Sequence, residues 1–190
     1  MNTYRLDLET IVGLVPEGAR VLDLGCGDGT LLAQLVTSRQ VIARGVELSE
    51  DNVRASIARG LSVRHGNIEE GLADYREDAF DYVILSQTLA YLDHPSQVVN
   101  EMLRVGHYAV ISFENAGHWK QRLRSILGEG NGSTLVSHEP RQRAITLNQF
   151  GIFSRQLGAH IEKAVFLSGS NIVQSQPALR ATNAIFVLSR

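Results

Sequence analysis

A short turn with three alternating glycines constrains the fold of this chain more than any other stretch. Val21, Leu22 and Leu24 form an apolar run that stops at residues 25–29, and leucines return at helical spacing from Leu31. This pattern predicts a buried strand, a tight turn and a helix. Glycines in such a turn let backbone N–H groups approach a ligand at the carboxyl ends of parallel strands, because no Cβ intervenes. The stretch therefore predicts an α/β sheet with a binding turn.

The spacing of these glycines indicates which ligand the turn suits. Dinucleotide-binding turns follow G-x-G-x-x-G, and the pyrophosphate rests on the helix N-terminus. In this chain the glycines fall at 25, 27 and 29, with Asp23 before them and Asp28 among them. Two carboxylates favour a cationic ligand over a diphosphate. The alternative is an ordinary strand-to-helix turn that holds no ligand.

Composition is that of an ordinary globular protein. The 190 residues are 44% hydrophobic and 20% charged, which fits one domain over residues 1–190. A net charge of −2 gives no overall attraction to nucleic acid or to an anionic membrane surface. No apolar stretch approaches the roughly 20 residues that cross a bilayer, and no signal-peptide pattern is present. We expect a cytoplasmic protein whose partner is a small molecule or another protein.

Strand and helix patterns alternate through five units along the chain. After the strand at the glycine turn, apolar runs predict strands at 41–46, 61–65, 80–86 and 108–113. Ser49, Pro95 and Thr146 are predicted helix starts, and 6–15 is a predicted first helix. This alternation predicts a doubly wound, mostly parallel sheet with right-handed crossovers. Two further strands are predicted at 161–167 and 184–188, with a polar loop between them.

The sequence D-x-G-x-G-x-G at 23–29 resembles motif I of class I S-adenosylmethionine-dependent methyltransferases. The ligand of that family carries a sulfonium and an α-amino group. The resemblance implies a Rossmann-like sheet that ends in an antiparallel pair, whose last strand is antiparallel to its neighbours. It also implies S-adenosylmethionine or S-adenosylhomocysteine as the ligand. The contacts implied at the turn are Asp23, Gly25, Cys26 and Gly27.

Further cofactor contacts are expected where the next strands end. Glu47 lies 20 residues past Gly27, close to the spacing at which an acidic residue meets a ribose. Its carboxylate is expected to accept hydrogen bonds from both ribose hydroxyls, with Leu48 beside it. The alternative is a solvated residue at a strand end. The remaining expected contacts are Asn67, Ile68 and Ser86.

Asn67 and Ile68 stand where the resembled family usually carries an aspartate followed by an apolar residue, beside the adenine. The side-chain carbonyl of Asn67 can accept a hydrogen bond from the adenine amino group. Ile68 is then expected to pack on the ring. Ser86 ends the strongest predicted strand and lies beside the expected site.

Four segments resemble the MetW family of methionine biosynthesis proteins more closely still: V-L-D-L-G-C-G-D-G at 21–29, F-D-Y-V-I-L-S-Q-T-L at 80–89, E-M-L-R-V-G at 101–106 and S-F-E-N-A-G-H-W at 112–119. The resemblance extends from about residue 5 to 127. It weakens from 128 to 143, where MetW-like chains usually carry an aromatic, proline-containing stretch. A loop and helix insertion is expected at about 114–145, including a glycine-rich stretch at 128–133.

Resemblance to MetW implies a link to methionine synthesis, in which family members accompany a homoserine O-acyltransferase. Two functions remain open. The chain is either an accessory or regulator of that acyltransferase that binds S-adenosylmethionine, or an active methyltransferase on a small molecule. Methyl transfer from a sulfonium is a direct displacement that needs alignment rather than a covalent residue. A base is needed only if the acceptor must lose a proton.

The candidates for contact with a methyl acceptor are Gln87 and His118. His118 is equally expected as a structural residue beside Trp119. Tyr4 and Arg5 border the substrate side in the resembled family, or else form a polar terminus. Cys26 has no evident base partner, and the histidines lack metal-ligand spacing, so no metal is expected.

The cations Lys120, Arg122 and Arg124 follow one another on a predicted helix. They are interpreted as a solvated helix face in preference to an RNA-binding surface. No nucleic-acid partner is therefore expected.

Overall fold

The computed structural model describes residues 5–70, 72–126 and 143–190. These residues build one eight-stranded sheet whose two faces are both covered by apolar side chains. The strands are β1 (Arg20–Leu24), β2 (Ile42–Glu47), β3 (Val63–His65), β4 (Phe80–Ser86), β5 (Gly106–Glu114), β6 (His160–Ser168), β7 (Asn171–Ile172) and β8 (Asn183–Ser189). Their order in the sheet is β3-β2-β1-β4-β5-β8-β6-β7.

Strands β1 to β5 are parallel, so the predicted doubly wound sheet is confirmed. β1 lies between β2 and β4, and the chain order of the strands reverses there. Open α/β sheets bind ligands at the carboxyl ends of the strands beside such a reversal. The glycine turn leaves β1 at that edge, so the topology brings it to the expected binding position.

The predicted antiparallel pair is confirmed as well. β8 is antiparallel to both β5 and β6. The polar loop expected between β6 and β8 is more ordered than predicted, because it contains β7 and the short helix Pro177–Arg180. Gly169, with φ +57°, lets the chain reverse so that Asn171 and Ile172 pair with the end of β6.

Local signals set the helix starts. Over the described ranges the structure contains seven α-helices. They are α1 (Leu6–Leu14), α2 (Thr30–Arg39), α3 (Glu50–Ala58), α4 (Pro95–Val105), α5 (Trp119–Ile126), α6 (Leu147–Gln156) and α7 (Pro177–Arg180). The Ser49 hydroxyl accepts from the backbone of Asn52, and Pro95 is the first residue of α4. Thr146 and Gln149 form a capping box at α6. All three predicted starts are confirmed.

Part of the expected insertion falls outside the structural description. Helix α5 occupies the predicted position after residue 118, whereas the glycine-rich stretch at 128–133 and Tyr4 lie outside the described residues.

Within the described ranges, no helix combines the length and the hydropathy that crossing a membrane requires.

Alternate residues of the central strands pack on opposite faces of the sheet. On β4, Val83 and Leu85 join the cluster under α4 and α6, while Ile84 joins the cluster under α1 and α2. Both faces are therefore buried, which explains why this strand is a continuous apolar run. Phe150 of α6 lies 4.5 Å from Phe186 and 4.9 Å from Phe113 between ring centroids, and it joins the helix to the sheet.

We expect Phe150→Ala to lower the free energy of unfolding by about 3 to 5 kcal/mol, because it removes a fully buried ring from this aromatic cluster. Ile152→Ala on the same helix is the control, since Ile152 is 49% exposed and should change stability by no more than about 0.5 kcal/mol. Urea unfolding of both variants measures the difference. Equal losses would show that α6 does not depend on the aromatic cluster.

Candidate functional site

A cavity of about 180 Å³ opens at the carboxyl ends of β1 and β4, against the glycine turn. Residues at the start of α1 form the opposite wall. The lining residues are Arg5, Leu8, Asp23, Gly25, Cys26, Gly27, Asp28, Thr30, Leu31, Ser86 and Gln87. The structure therefore brings together five of the predicted cofactor residues and one of the two predicted acceptor contacts.

The three glycines of the turn have different roles. A Cβ on Gly25 would lie 2.8 Å from Thr88 Oγ1, and one on Gly29 would lie 2.7 Å from Ser56 Oγ. These two glycines permit close packing of the turn against its neighbours. Gly27 has φ +55° and no atom within 4 Å of an added Cβ. Gly27 is therefore the glycine beside open space, where a ligand can approach the backbone.

Glu47 holds the turn to the end of β2. Its Oε2 accepts a hydrogen bond from the Gly27 N–H at 2.9 Å, and its Oε1 accepts from the Ser49 N–H at 2.8 Å. The 20-residue spacing seen in the sequence thus corresponds to a direct bond. A carboxylate offers about four acceptor positions, so two remain for other donors. The role of Glu47 at a ribose stays a prediction.

Asp23 is a buried acid that lacks a full set of partners. It is 1% exposed, and its Oδ1 has no hydrogen-bond partner among the described residues. Burial, and secondarily the charge of Glu47, raises the pKa of Asp23 to about 7. A cation or an N–H donor that entered the cavity would stabilise the charged form and lower this pKa.

Asp28 does not supply the free charge that the sequence predicted for it. Its Oδ2 accepts from Arg59 at 2.8 Å, and its Oδ1 accepts from the Thr30 hydroxyl at 2.7 Å. These donors lower the pKa of Asp28, the hydrogen bond from Thr30 most of all. The argument from two turn carboxylates was therefore wrong for Asp28. Asp23 is the acid of the cavity lining whose Oδ1 has no partner among the described residues, and Glu47 bonds to the Gly27 N–H without being part of that lining.

Cys26 is a packing residue of the cavity wall. Burial, followed by the charges of Asp23 and Glu47, raises the pKa of its thiol to about 12. The thiolate is the nucleophilic form of cysteine, so this thiol is unreactive near neutral pH. This agrees with the lack of a base partner noted in the sequence.

The other predicted cofactor residues, Leu48 and the two adenine contacts Asn67 and Ile68, differ in how much surface they offer. Leu48 is 65% exposed, and its backbone carbonyl oxygen lies 2.9 Å from His65 Nε2. The Asn67 carbonyl already accepts from the Glu69 N–H, and its amide donates to Glu70. Ile68 is 9% exposed and belongs to the core cluster under α4. Leu48 thus offers the most surface of the three, and all three roles stay predictions.

Gln87 is held in an unusual backbone conformation beside the cavity. It has φ +57°, which non-glycine residues rarely adopt and which costs about 1 to 3 kcal/mol. Its backbone N–H donates to the Ser112 carbonyl at 3.0 Å, and its side-chain amide lies 3.4 Å from Ser112 Oγ. Ser86 Oγ lies 3.1 Å from the same hydroxyl. The fully buried Ser112, which the sequence analysis did not identify, therefore positions both predicted residues.

His118 lies apart from Gln87, in the segment before α5. It is 7% exposed, its Nδ1 accepts from the Lys120 N–H at 3.3 Å, and its ring lies 6.0 Å from that of Trp119. Burial lowers the pKa of His118, and the charge of Lys120 adds to this effect. His118 lines neither the glycine-turn cavity nor the cleft beside it. The geometry favours the structural interpretation.

A larger cleft of about 490 Å³ adjoins the glycine-turn cavity. Arg5 and Gln87 line both spaces. Arg5 thus lies in the wall that the two spaces share, and its position at a substrate side stays a prediction. Glu114 at the end of β5 and Asn183 at the start of β8 also line the cleft. Glu114 stands in the quoted segment 112–119 but was not singled out there, and Asn183 stands in no motif, because the two residues meet only when β8 inserts beside β5.

Comparison with known proteins places the chain in context. A family model described as methionine biosynthesis protein MetW matches residues 5–188. A bifunctional methionine biosynthesis protein MetXA/MetW of Rhodopirellula baltica is 33% identical over 208 aligned positions. The alignment covers 99% of this chain and 33% of the relative, so the chain spans about a third of that protein's length.

Two solved structures with the same fold are methyltransferases by name. A SAM-dependent methyltransferase of Archaeoglobus fulgidus aligns with a TM-score of 0.74 at 16% identity, over 97% of this chain and 91% of its own. Magnesium protoporphyrin IX methyltransferase of Synechocystis, with bound SAH, aligns with a TM-score of 0.72 at 15% identity, over 97% and 82% of the two chains. At these identities the matches show the fold, which is the predicted methyltransferase fold.

The pKa of Asp23 predicts a pH dependence of stability. The unfolded chain releases the proton near the ordinary value of 3.8, and the folded chain keeps it up to about 7. Stability from this group therefore falls as pH rises from about 4 to 7, by at most about 4 kcal/mol. Asp23→Asn should match the wild type near pH 4 and exceed it in unfolding free energy at pH 8, as measured by urea unfolding.

Asp81→Asn is the matched control, because the hydrogen bond from Arg20 lowers the pKa of Asp81. Its stabilising effect is present above the ordinary carboxyl pKa and disappears as pH falls through the lowered value. This variant should therefore lose stability at pH 8, opposite in sign to Asp23→Asn. Parallel stability curves for wild type and Asp23→Asn would contradict the assignment of a buried, unpaired Asp23.

Proposed function

The chain belongs to the MetW family of methionine biosynthesis proteins, and on that premise we propose that it binds S-adenosylmethionine or S-adenosylhomocysteine and acts as an accessory or regulator of a cytoplasmic homoserine O-acyltransferase.

The observation that carries the accessory role is the fused relative. Its name assigns MetXA and MetW functions to one chain, and this protein corresponds to a third of it. We identify the MetXA function with the acyltransferase that family resemblance implies. Fusion holds two partners at a high effective concentration, which benefits proteins that act together. Where the two functions lie on separate chains, those chains would then associate non-covalently.

The charges of the glycine-turn cavity support a sulfonium ligand. Asp23 presents a buried acceptor without a partner, and Glu47 adds a second carboxylate behind the turn. The ligand's α-ammonium and sulfonium would balance this negative charge, whereas a diphosphate would be repelled. The open side of Gly27 leaves room for the methionine portion.

The other predicted contacts extend along the edge of the sheet in the order that such a ligand requires. Two acceptor positions on Glu47 remain for ribose hydroxyls. Leu48, which follows it, offers an apolar surface to adenine, and the second lone pair of the Asn67 carbonyl is available to the adenine amino group. Ser86 and Gln87 border the end where the methyl group would lie.

An active methyltransferase is the second candidate function, and the adjoining cleft favours it. The cleft shares Gln87 with the glycine-turn cavity, so a small acceptor there would lie beside the methyl group. S-adenosylmethionine supplies the activated methyl group when bound. Gln87 would orient the acceptor, and the carboxylate of Glu114 lines the same cleft. Transfer of labelled methyl to a defined metabolite over many turnovers would establish this function.

Gly27→Val tests the ligand site. The branched side chain would enter the open space beside the turn, so we expect no detectable heat when S-adenosylhomocysteine is titrated into the folded variant. Gly18→Val is the control, because Gly18 has a similar φ of +73° and equally open surroundings but lies before β1, away from the cavity. Both variants should lose about 1 to 3 kcal/mol of stability from backbone strain. Normal binding by Gly27→Val would mean that the ligand lies elsewhere.

The accessory role predicts reciprocal effects between ligand and partner. Acyl transfer to homoserine by the acyltransferase of the same organism should rise when this protein is added, and the response should change with S-adenosylmethionine. Linkage then requires that the acyltransferase alter the affinity of this protein for the ligand by the same factor. Coupled acyl-transfer assays and calorimetry measure the two effects.

Gly27→Val is also the variant that tests whether the regulation depends on the ligand. Glu47→Ala is less suitable, because it would remove the hydrogen bonds that hold the Gly27 and Ser49 N–H groups and so disturb the turn itself. The Gly27→Val protein should still raise acyl transfer but should no longer respond to S-adenosylmethionine. Repeated methyl transfer to a metabolite, with ligand affinity indifferent to the acyltransferase, would defeat the regulatory proposal in favour of the enzyme.

A further inference from the structure

A serine interrupts the buried apolar run of β5. Ser112 is fully buried, and its neighbours Ile111 and Phe113 belong to a core cluster. Burying a hydroxyl is unfavourable unless hydrogen bonds compensate. Ser112 Oγ lies 3.1 Å from Ser86 Oγ, 3.2 Å from Gln87 N and 3.4 Å from Gln87 Nε2. Each of these contacts leads to a residue that lines the glycine-turn cavity.

The chemistry of the contacting groups fixes the direction of these hydrogen bonds. Both nitrogens of Gln87 are donors, so they use the two lone pairs of the Ser112 oxygen. The proton of Ser112 is then left for Ser86 Oγ, which is the third group within reach. Ser86 Oγ is therefore the acceptor in this bond and keeps its own proton. Among the described residues, no other hydrogen bond involves Ser86 Oγ.

The side chain of Ser86 projects from the face of the sheet that borders the cavity. Side chains alternate along a strand, so Ser86 shares a face with Ile84, which packs under α1 and α2. Ser86 is half-buried and lines the glycine-turn cavity, whose opposite wall includes Leu8 of α1. Ser112 thus holds Ser86 as a hydrogen-bond donor that a ligand in the cavity can meet.

The order of the strands indicates which part of the ligand lies at Ser86. The end of β2 carries Glu47, the expected ribose contact, and β1 with the glycine turn lies between β2 and β4. Neighbouring strands are about 4.8 Å apart, so the ends of β2 and β4 are about 10 Å apart. A nucleoside whose ribose lies at β2 therefore brings its amino-acid end to β4. Of the two charged groups at that end, the carboxylate is the one that accepts a hydrogen bond from a hydroxyl.

We propose that Ser112 is a positioning residue of the ligand site, which holds Ser86 as the hydrogen-bond donor for the carboxylate of S-adenosylmethionine or S-adenosylhomocysteine. This inference rests on the proposed function, because it takes the glycine-turn cavity as the ligand site. Ser86 contacts the ligand, and Ser112 acts through Ser86. The arrangement explains why a buried strand carries a hydroxyl at a position where an apolar side chain would pack as well.

A purely structural role for Ser112 is the alternative. Its hydroxyl would then serve only to accept the backbone N–H of Gln87, which has a φ of +57°. In that role Ser112 would affect every ligand of the cavity alike. A ligand that lacks the carboxylate therefore separates the two roles.

Calorimetry with two ligands tests the proposal. S-adenosylhomocysteine carries the carboxylate, whereas methylthioadenosine has the same nucleoside and sulfur but lacks the amino-acid end. Ser86→Ala should weaken binding of S-adenosylhomocysteine by at least about tenfold, as expected for loss of a hydrogen bond to a charged group, and should change the affinity for methylthioadenosine by less than about twofold. Ser112→Ala should follow the same pattern with a smaller loss, because the Ser86 hydroxyl remains but is no longer held.

A double-mutant cycle shows whether Ser112 acts through Ser86. In the Ser86→Ala background, Ser112→Ala should cause no further loss, whereas independent roles would give additive losses. Ser112→Cys, whose thiol bonds only weakly, should behave like Ser112→Ala and replaces it if the alanine variant does not fold. Ser154→Ala is the control, because Ser154 is equally buried but donates to the Phe150 carbonyl within α6. This control should leave both affinities unchanged.

The outcomes separate this inference from the proposed function. If the wild type binds S-adenosylhomocysteine, then unchanged binding by Ser86→Ala, equal losses for both ligands or additive losses in the double variant would reject the positioning role alone. Absence of S-adenosylhomocysteine binding by the folded wild type would reject the ligand site and this inference together.

Discussion

The bond between Glu47 and the glycine turn is the interaction on which the rest of the site depends. One carboxylate accepts the Gly27 N–H and the Ser49 N–H, so it joins the turn after β1 to the start of α3. Without these acceptors, two backbone donors near the site would lose their partners, and the turn would lose its position relative to β2. The same carboxylate keeps two of its acceptor positions free of these two bonds.

Around this bond the protein carries features that do not favour its own stability. Asp23 is buried without a partner for one of its oxygens, and the pKa of its carboxyl is raised to about 7. Gln87 keeps a left-handed backbone, and the buried Ser112 accepts hydrogen bonds from it. Strain and unpaired charge of this kind concentrate at functional sites, where a ligand can relieve them. Both residues line the glycine-turn cavity, which is why we regard it as the principal ligand site.

The glycine-turn cavity and the adjoining cleft differ in the side chains that line them. The glycine-turn cavity combines the buried acid Asp23 with an open glycine, and the larger cleft is lined by Glu114 and by the ion pair of Arg5 and Asp7. Arg5 and Gln87 line both, so occupancy of one can influence the other through shared walls.

The sequence by itself determined the parallel sheet, the helix starts and the spacing of Glu47 from the glycine turn, and the antiparallel last strand was implied by the resemblance to methyltransferases. Apolar periodicity, caps and turn glycines are local signals, and they survive in any tertiary context that buries them. Only the tertiary structure decided that Arg59 neutralises Asp28, 31 residues away. It alone placed Glu114 opposite Asn183, because β8 inserts beside β5 and no local pattern records which distant strands become neighbours.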